Sequence, residues 1–218
     1  MSNKRKFSKD VLTTRNYNLE IRADETEGGI IEGVPIVFER ETIITDWAGQ
    51  YKEIVDRNAL RKTDLKDVRL FVNHDTNKIT LARSKNGKGT MQLSVEDDGL
   101  HMKAELDIEN NVEAKALYSA VKRGDMSGMS FMFRIDGEEW SDLDKEVPTR
   151  RITSISVVHE VSVVNFPAYQ QTSVNARSSQ ESETSVLAEA RKAYSEETEQ
   201  KKKKELELEK LKYNFFSI

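Results

Sequence analysis

The chain has 218 residues, 37% hydrophobic and 33% charged, a polar balance that suits one domain of ordinary size with extensions that add little core. Its formal net charge of -4 is too small to imply electrostatic capture of nucleic acid, and the absence of cysteine excludes disulfides, thiolate catalysis and thiolate metal sites. No apolar run approaches the roughly 18 residues of a membrane span, and no apolar stretch follows the basic start "MSNKRKFSKD", so the chain reads as soluble and cytosolic, with no signal peptide.

Residues 1–15 read as a flexible basic arm. Strand signals begin at "YNLEIRADE", where Tyr17, Leu19 and Ile21 alternate with polar residues. "GGIIEGVPIVFE" predicts a second strand, with Pro35 pointing to an edge or a bulge. A short helix is expected over residues 57–65. "VRLFVNHD" predicts a compact strand that ends in Asn73, His74 and Asp75. "TMQLSVEDDGLHMKAELD" is a hairpin pattern that turns at Asp98-Gly99.

A helix follows, capped by Asn111 and ended by Gly124. Val112, Ala116, Leu117, Ala120 and Val121 fall on one of its faces. "GMSFMFRI" and "RRITSISVVHEVSVVNFPAY" are the last strands, the second stopped by Pro167. From residue 176 the composition becomes charge and helix formers, with Val186, Leu187, Ala190 and Tyr194 at helical spacing. The expected organisation is an arm over 1–15, a main β-rich domain over 16–175 and a charged helical tail over 176–218. Hairpin-linked strands with few helices favour an antiparallel barrel or sandwich.

Side-chain alternation places Ser127, Met129, Phe131 and Phe133 on one face of their strand and Gly128, Ser130, Met132 and Arg134 on the other. Ser130 therefore points away from the main apolar face. A nucleophilic serine needs a base, and the base needs an orienting group. The chain has only three histidines, His74, His101 and His159. His74 ends an apolar strand, where catalytic residues often sit, whereas His101 lies among polar hairpin residues. Glu160 stands in a β-branched run, where a carboxylate is costly to bury without a partner. A structural arginine such as Arg151 is one such partner, and a catalytic imidazole is another. Strand parity does not choose between His159 and Glu160 for the third role.

Four stretches in this order, "VRLFVNHD", "GTMQLSVEDDGLHMKAELD", "RGDMSGMSFMF" and "EVSVVNFPAY", resemble the tailed-phage prohead protease family of HK97 type, over about residues 17–172. The resemblance implies a mainly β, herpesvirus-assemblin-like antiparallel β-barrel flanked by helices. It implies a serine endopeptidase with Ser130 as nucleophile, His74 as general base and Glu160 as third member. The assemblin branch has a histidine in that third role, which keeps His159 in view. The implied substrates are the major capsid protein with its scaffold segment and the protease itself, inside the assembling prohead in the host cytoplasm. No nucleic acid, membrane, metal or cofactor is implied. Where the family usually reads "GMSFGF", this chain has Met132 in place of glycine. A non-catalytic capsid assembly or scaffolding protein is the alternative, favoured by the charged tail.

Overall fold

The computed structural model describes residues 12–17, 21–23, 28–165 and 185–215. In chain order the elements are β1 (Leu12–Tyr17), β2 (Ile21–Ala23), β3 (Ile30–Val37), β4 (Thr42–Asp46), β5 (Gly49–Val55), β6 (Arg69–Val72), β7 (Ala82–Arg83), β8 (Met91–Val95), β9 (Gly99–Glu105), α1 (Val112–Lys122), β10 (Gly128–Ser141), β11 (Thr149–Val164) and α2 (Val186–Phe215). They form a mainly β fold of two sheets. One runs β1-β10-β11-β5-β4, with β6 and β7 added beside β11; the other runs β2-β3-β9-β8.

The barrel that the sequence leads one to expect is not found: the described strands make two open sheets. The reason lies in β11. Its first half pairs in parallel with β5 and its second half in parallel with β6. The large sheet therefore branches along β11 instead of closing on itself. The remaining ladders are antiparallel, as the hairpin signals predict.

The sheets pack face to face through one core. Ile31, Leu100 and Ala104 of the smaller sheet belong to the same buried cluster as Phe131, Phe133, Val161 and Val163 of the larger one. The Phe131 and Phe133 rings lie 4.6 Å apart between centroids. The odd-numbered parity expected for β10 holds, with Met129, Phe131 and Phe133 fully buried.

The helix α1 is bounded as its caps predict. Asn111 Oδ1 accepts from the backbone N–H of Glu113 at 3.0 Å and of Ala114 at 3.2 Å, and Gly124 leaves the helix at φ 77. Its buried face is Ala114, Leu117 and Val121, while Val112, expected on that face, is 81% exposed. The helix expected over 57–65 does not form. The Asp56 carboxylate accepts from Asn58 N, and the backbone bonds of Ala59, Arg61 and Thr63 each reach only three residues back. Strand β11 then takes the free groups, through Ile155 N to Ala59 O, Thr63 Oγ1 to Ile155 O, and a bridge between Asp64 and Val157. Competition from Asx turns and from a neighbouring strand outweighs a modest helical preference.

Strand β1 begins inside the segment that reads as a flexible arm. It pairs with β10 from Leu12↔Arg134 to Tyr17↔Met129. What fixes it is ionic. Arg15 donates from Nε to Glu53 Oε1 at 2.6 Å and from Nη2 to Glu53 Oε2 at 2.8 Å. Arg150 donates from Nη1 to Glu53 Oε2 at 3.0 Å and from Nε to Glu138 Oε2 at 2.8 Å. Trp140 Nε1 donates to Glu138 Oε1 at 3.0 Å. None of the four charged side chains is more than 6% exposed. Burial alone would lower the pKa of Arg150, but Glu138 and Glu53 outweigh it and hold the guanidinium above its usual range.

The tail helix α2 is anchored at its start. Leu187 and Ala190 are buried with Ile44, Tyr51 and Trp140. Ser185 caps it, accepting from Ala188 N at 3.0 Å, and donates its hydroxyl to Asp46 at 2.5 Å. Farther along, Leu206 and Leu208 are more than half exposed. The short amphipathic stretch predicted near Leu187 thus docks on β4, β5 and β10, and the charged run continues as a solvated helix.

Removing one side of a buried ion pair strands the other charge and costs about 3–5 kcal/mol. Arg150→Met is expected to lower the unfolding free energy by about that much, read from urea denaturation; Lys103→Met, which removes an exposed ion pair to Glu32, is the control and should change it by less than about 1 kcal/mol.

Candidate active site

Three elements of the large sheet meet at the residues singled out above. Strand β10 carries Ser130. Strand β11 carries His159, Glu160 and Ser162. The turn after β6 carries His74.

The ladder between β10 and β11 contains a bulge at this point. Met132 pairs with Glu160 and the next residue, Phe133, pairs with Val158, so His159 is the extra residue of β11. The bulge resets the parity of the strand. Val158 and Val161 both enter the core, at 1% and 0% exposure, although they are three residues apart. Glu160 and Ser162 are left together on the face that carries Ser130, because Ser130 pairs with Ser162 and Met132 with Glu160. Simple alternation could not have decided this.

His74 reaches that face by an unusual turn. Asn73 and His74 both adopt left-handed backbone, at φ 52 and φ 60. For two consecutive non-glycine residues this is a strained arrangement, and it persists only where neighbours enforce it. They do. Asn73 N donates to Val163 O at 3.0 Å, Asn73 Oδ1 accepts from Asn165 N at 3.1 Å, and Asp75 N donates to Val72 O at 3.1 Å. The turn carries the His74 ring back over β11, where its Nδ1 makes a short contact with Glu160 Oε1.

Glu160 is 3% exposed, and both of its oxygens are engaged. Oε1 meets His74, and Oε2 accepts from Ser162 Oγ at 2.7 Å. Ser162 Oγ also accepts from the His74 backbone N–H at 3.1 Å. Arg151, the structural arginine that could have paired with Glu160, binds Glu39 and Asp56 instead. Ser130 is fully buried beside Ser162, at a pairing that sets Cβ atoms about 4.5–5.5 Å apart. Its hydroxyl donates to the backbone carbonyl of Arg15 on β1 at 2.9 Å. Met132 is half-buried and pairs with Glu160.

His159 faces elsewhere. Its Nε2 lies 3.3 Å from Arg134 Nε, so it accepts there. Burial, followed by the Arg134 and Arg69 charges, lowers its pKa. A ring kept neutral beside a guanidinium is a poor stabiliser of a second, charged imidazole. His101 belongs to the other sheet, with Nε2 at 2.7 Å from Asp98 Oδ1. Ser127 is exposed, just before β10. Among the described residues, the cluster with metal-ligand spacing is Glu96, Asp98 and His101, at the surface of the β8–β9 turn. Ser162 is the residue that sequence reasoning passed over. Its signal was its position two residues after Glu160, on the same face of one strand.

Comparison with known proteins adds one finding. The family model described as caudovirus prohead serine protease matches residues 17–186. No curated protein and no solved structure matches the chain.

The geometry ranks the two candidates for the third role. Glu160→Gln is expected to lower kcat at least about a hundredfold, and His159→Gln less than about tenfold, when peptide hydrolysis is followed with both variants folded by circular dichroism. The reverse ranking would move the role to His159.

Proposed function

Because the chain belongs to the caudovirus prohead serine protease family, and is thus a serine protease of phage capsid maturation, we propose that Ser130, His74 and Glu160 form its catalytic triad. The observation that carries this reading is the contact of His74 Nδ1 with a buried carboxylate on the strand next to Ser130. A carboxylate bound to one ring nitrogen fixes the tautomer and leaves the other nitrogen the task of taking a proton.

The roles follow. Ser130 Oγ exchanges the Arg15 carbonyl for His74 Nε2 and gives it the proton as it attacks the scissile carbonyl. The protonated imidazole, paired with Glu160, returns the proton to the leaving amine. A water, deprotonated in turn by His74, hydrolyses the acyl-enzyme and restores Ser130. No step needs a metal or cofactor. The proposed substrates are the major capsid protein with its scaffold segment, and the protease itself. Self-cleavage would most readily fall in weakly packed chain outside the docked elements.

The test is co-expression with the capsid protein, read by mass spectrometry. Native chain should yield processed capsid protein, while Ser130→Ala and His74→Ala should each lose at least about 10⁴-fold in rate. Ser127→Ala and His101→Ala should remain near native. A serine-reactive phosphonate should label Ser130 in the native chain. Absence of labelling together with unprocessed capsid protein would favour a scaffolding role instead.

We also propose that the helical tail serves location or assembly and not chemistry; the support is that the start of α2 docks at the β4–β5 hairpin, where Leu187 and Ala190 pack with Ile44, Tyr51 and Trp140. Leu187→Asp, which should release α2 from its seat, is expected to retain peptide hydrolysis in solution and to be depleted from assembling proheads. Loss of hydrolysis in solution would show that the docked helix supports the site.

A further inference from the structure

We infer that Ser162 is a positioning residue of the active site, the group that locks Glu160 and the His74 turn into one unit. This rests on the triad reading above and goes beyond it. Two contacts converge on its hydroxyl. It donates to Glu160 Oε2 at 2.7 Å and accepts from the His74 backbone N–H at 3.1 Å. Its residue pairs with Ser130 on β10 and with Phe71 on β6. Ser162 is therefore the cross-strand neighbour of the proposed nucleophile while it touches both the proposed base, His74, and its carboxylate partner, Glu160.

The physical need is specific. A carboxylate that is 3% exposed must have its oxygens satisfied, or it rotates, takes up a proton or draws in water. With Oε2 held by Ser162, the carboxyl plane is fixed and Oε1 stays aimed at His74 Nδ1. His74 also has a strained left-handed backbone at φ 60, and its amide needs an acceptor to keep the turn closed. One hydroxyl answers both demands, using its single proton toward the anion and a lone pair toward the amide. Alanine would remove both hydrogen bonds at once. Threonine keeps the oxygen and suits a β-strand.

The experiment compares native chain, Ser162→Ala, Ser162→Thr and Ser130→Ala in steady-state peptide hydrolysis and in the rate of phosphonate labelling, with thermal melts as a check on folding. Expected for Ser162→Ala is a fall of about ten- to a hundredfold in kcat, with KM within about twofold of native, and labelling slowed by a similar factor but complete in extent. Ser162→Thr should recover most of the rate. A Ser162→Ala variant with native kcat, or a loss that Ser162→Thr does not recover, overturns the positioning role and leaves the triad standing. Activity in Ser130→Ala overturns the triad itself, whatever the Ser162 variants do.

Discussion

A carboxyl group lies buried inside a sheet, and much of the site's architecture is explained by how its oxygens are partnered. Glu160 sits in a β-branched run at 3% exposure, and an unpartnered ion there would be prohibitive. Its two oxygens are met by an imidazole and a hydroxyl. The imidazole arrives only because two consecutive residues accept left-handed backbone. The hydroxyl arrives only because Ser162 shares the face of Glu160. Burial sets the demand, and the strained turn is what it costs to meet it.

The β10–β11 ladder supplies the common frame. It is the longest pairing in the molecule, and it brings Ser130, Ser162, Met132 and Glu160 to one face from opposite strands. The bulge at His159 belongs to that function. Without the extra residue, Val158 and Glu160 would share a face, and either the core would lose Val158 or the carboxylate would enter it. Bulges next to active sites re-aim side chains in this way. The hydroxyl of Ser130 is bonded to the Arg15 carbonyl, so β1 touches the proposed nucleophile as well as the ionic network.

Much of this was legible in the sequence, and the failures have physical causes. Hairpin turns, the α1 caps and the core parity of β10 could be read because each depends on local pattern. The four motifs placed the family. The choice between His159 and Glu160 could not be read, because a bulge is invisible to alternation. The turns over 57–65 were misread as a helix because their fate depends on β11, roughly a hundred residues away in the chain. Val112 scored as core by helical spacing and is exposed because the face of α1 that packs is set by the sheet beneath it. The choice between barrel and sandwich could not be read for a related reason. Parallel pairing of β11 with both β5 and β6 is a long-range event, and no local signal announces it.

One sheet thus holds two buried acidic systems that differ in the nature of their partners. Glu53 and Glu138 are matched by Arg15 and Arg150. A guanidinium stays protonated at any pH the protein meets, so that network can tie β1, β5, β10 and β11 together and do nothing else. Glu160 is matched by groups that can change roles: an imidazole whose ring nitrogens can each donate or accept, and a hydroxyl that can do both. The same electrostatic demand is met by fixed charges in one system and by groups that can exchange roles in the other. The second system is the one on the strand next to Ser130, and the proposed proton transfers call for partners of that kind.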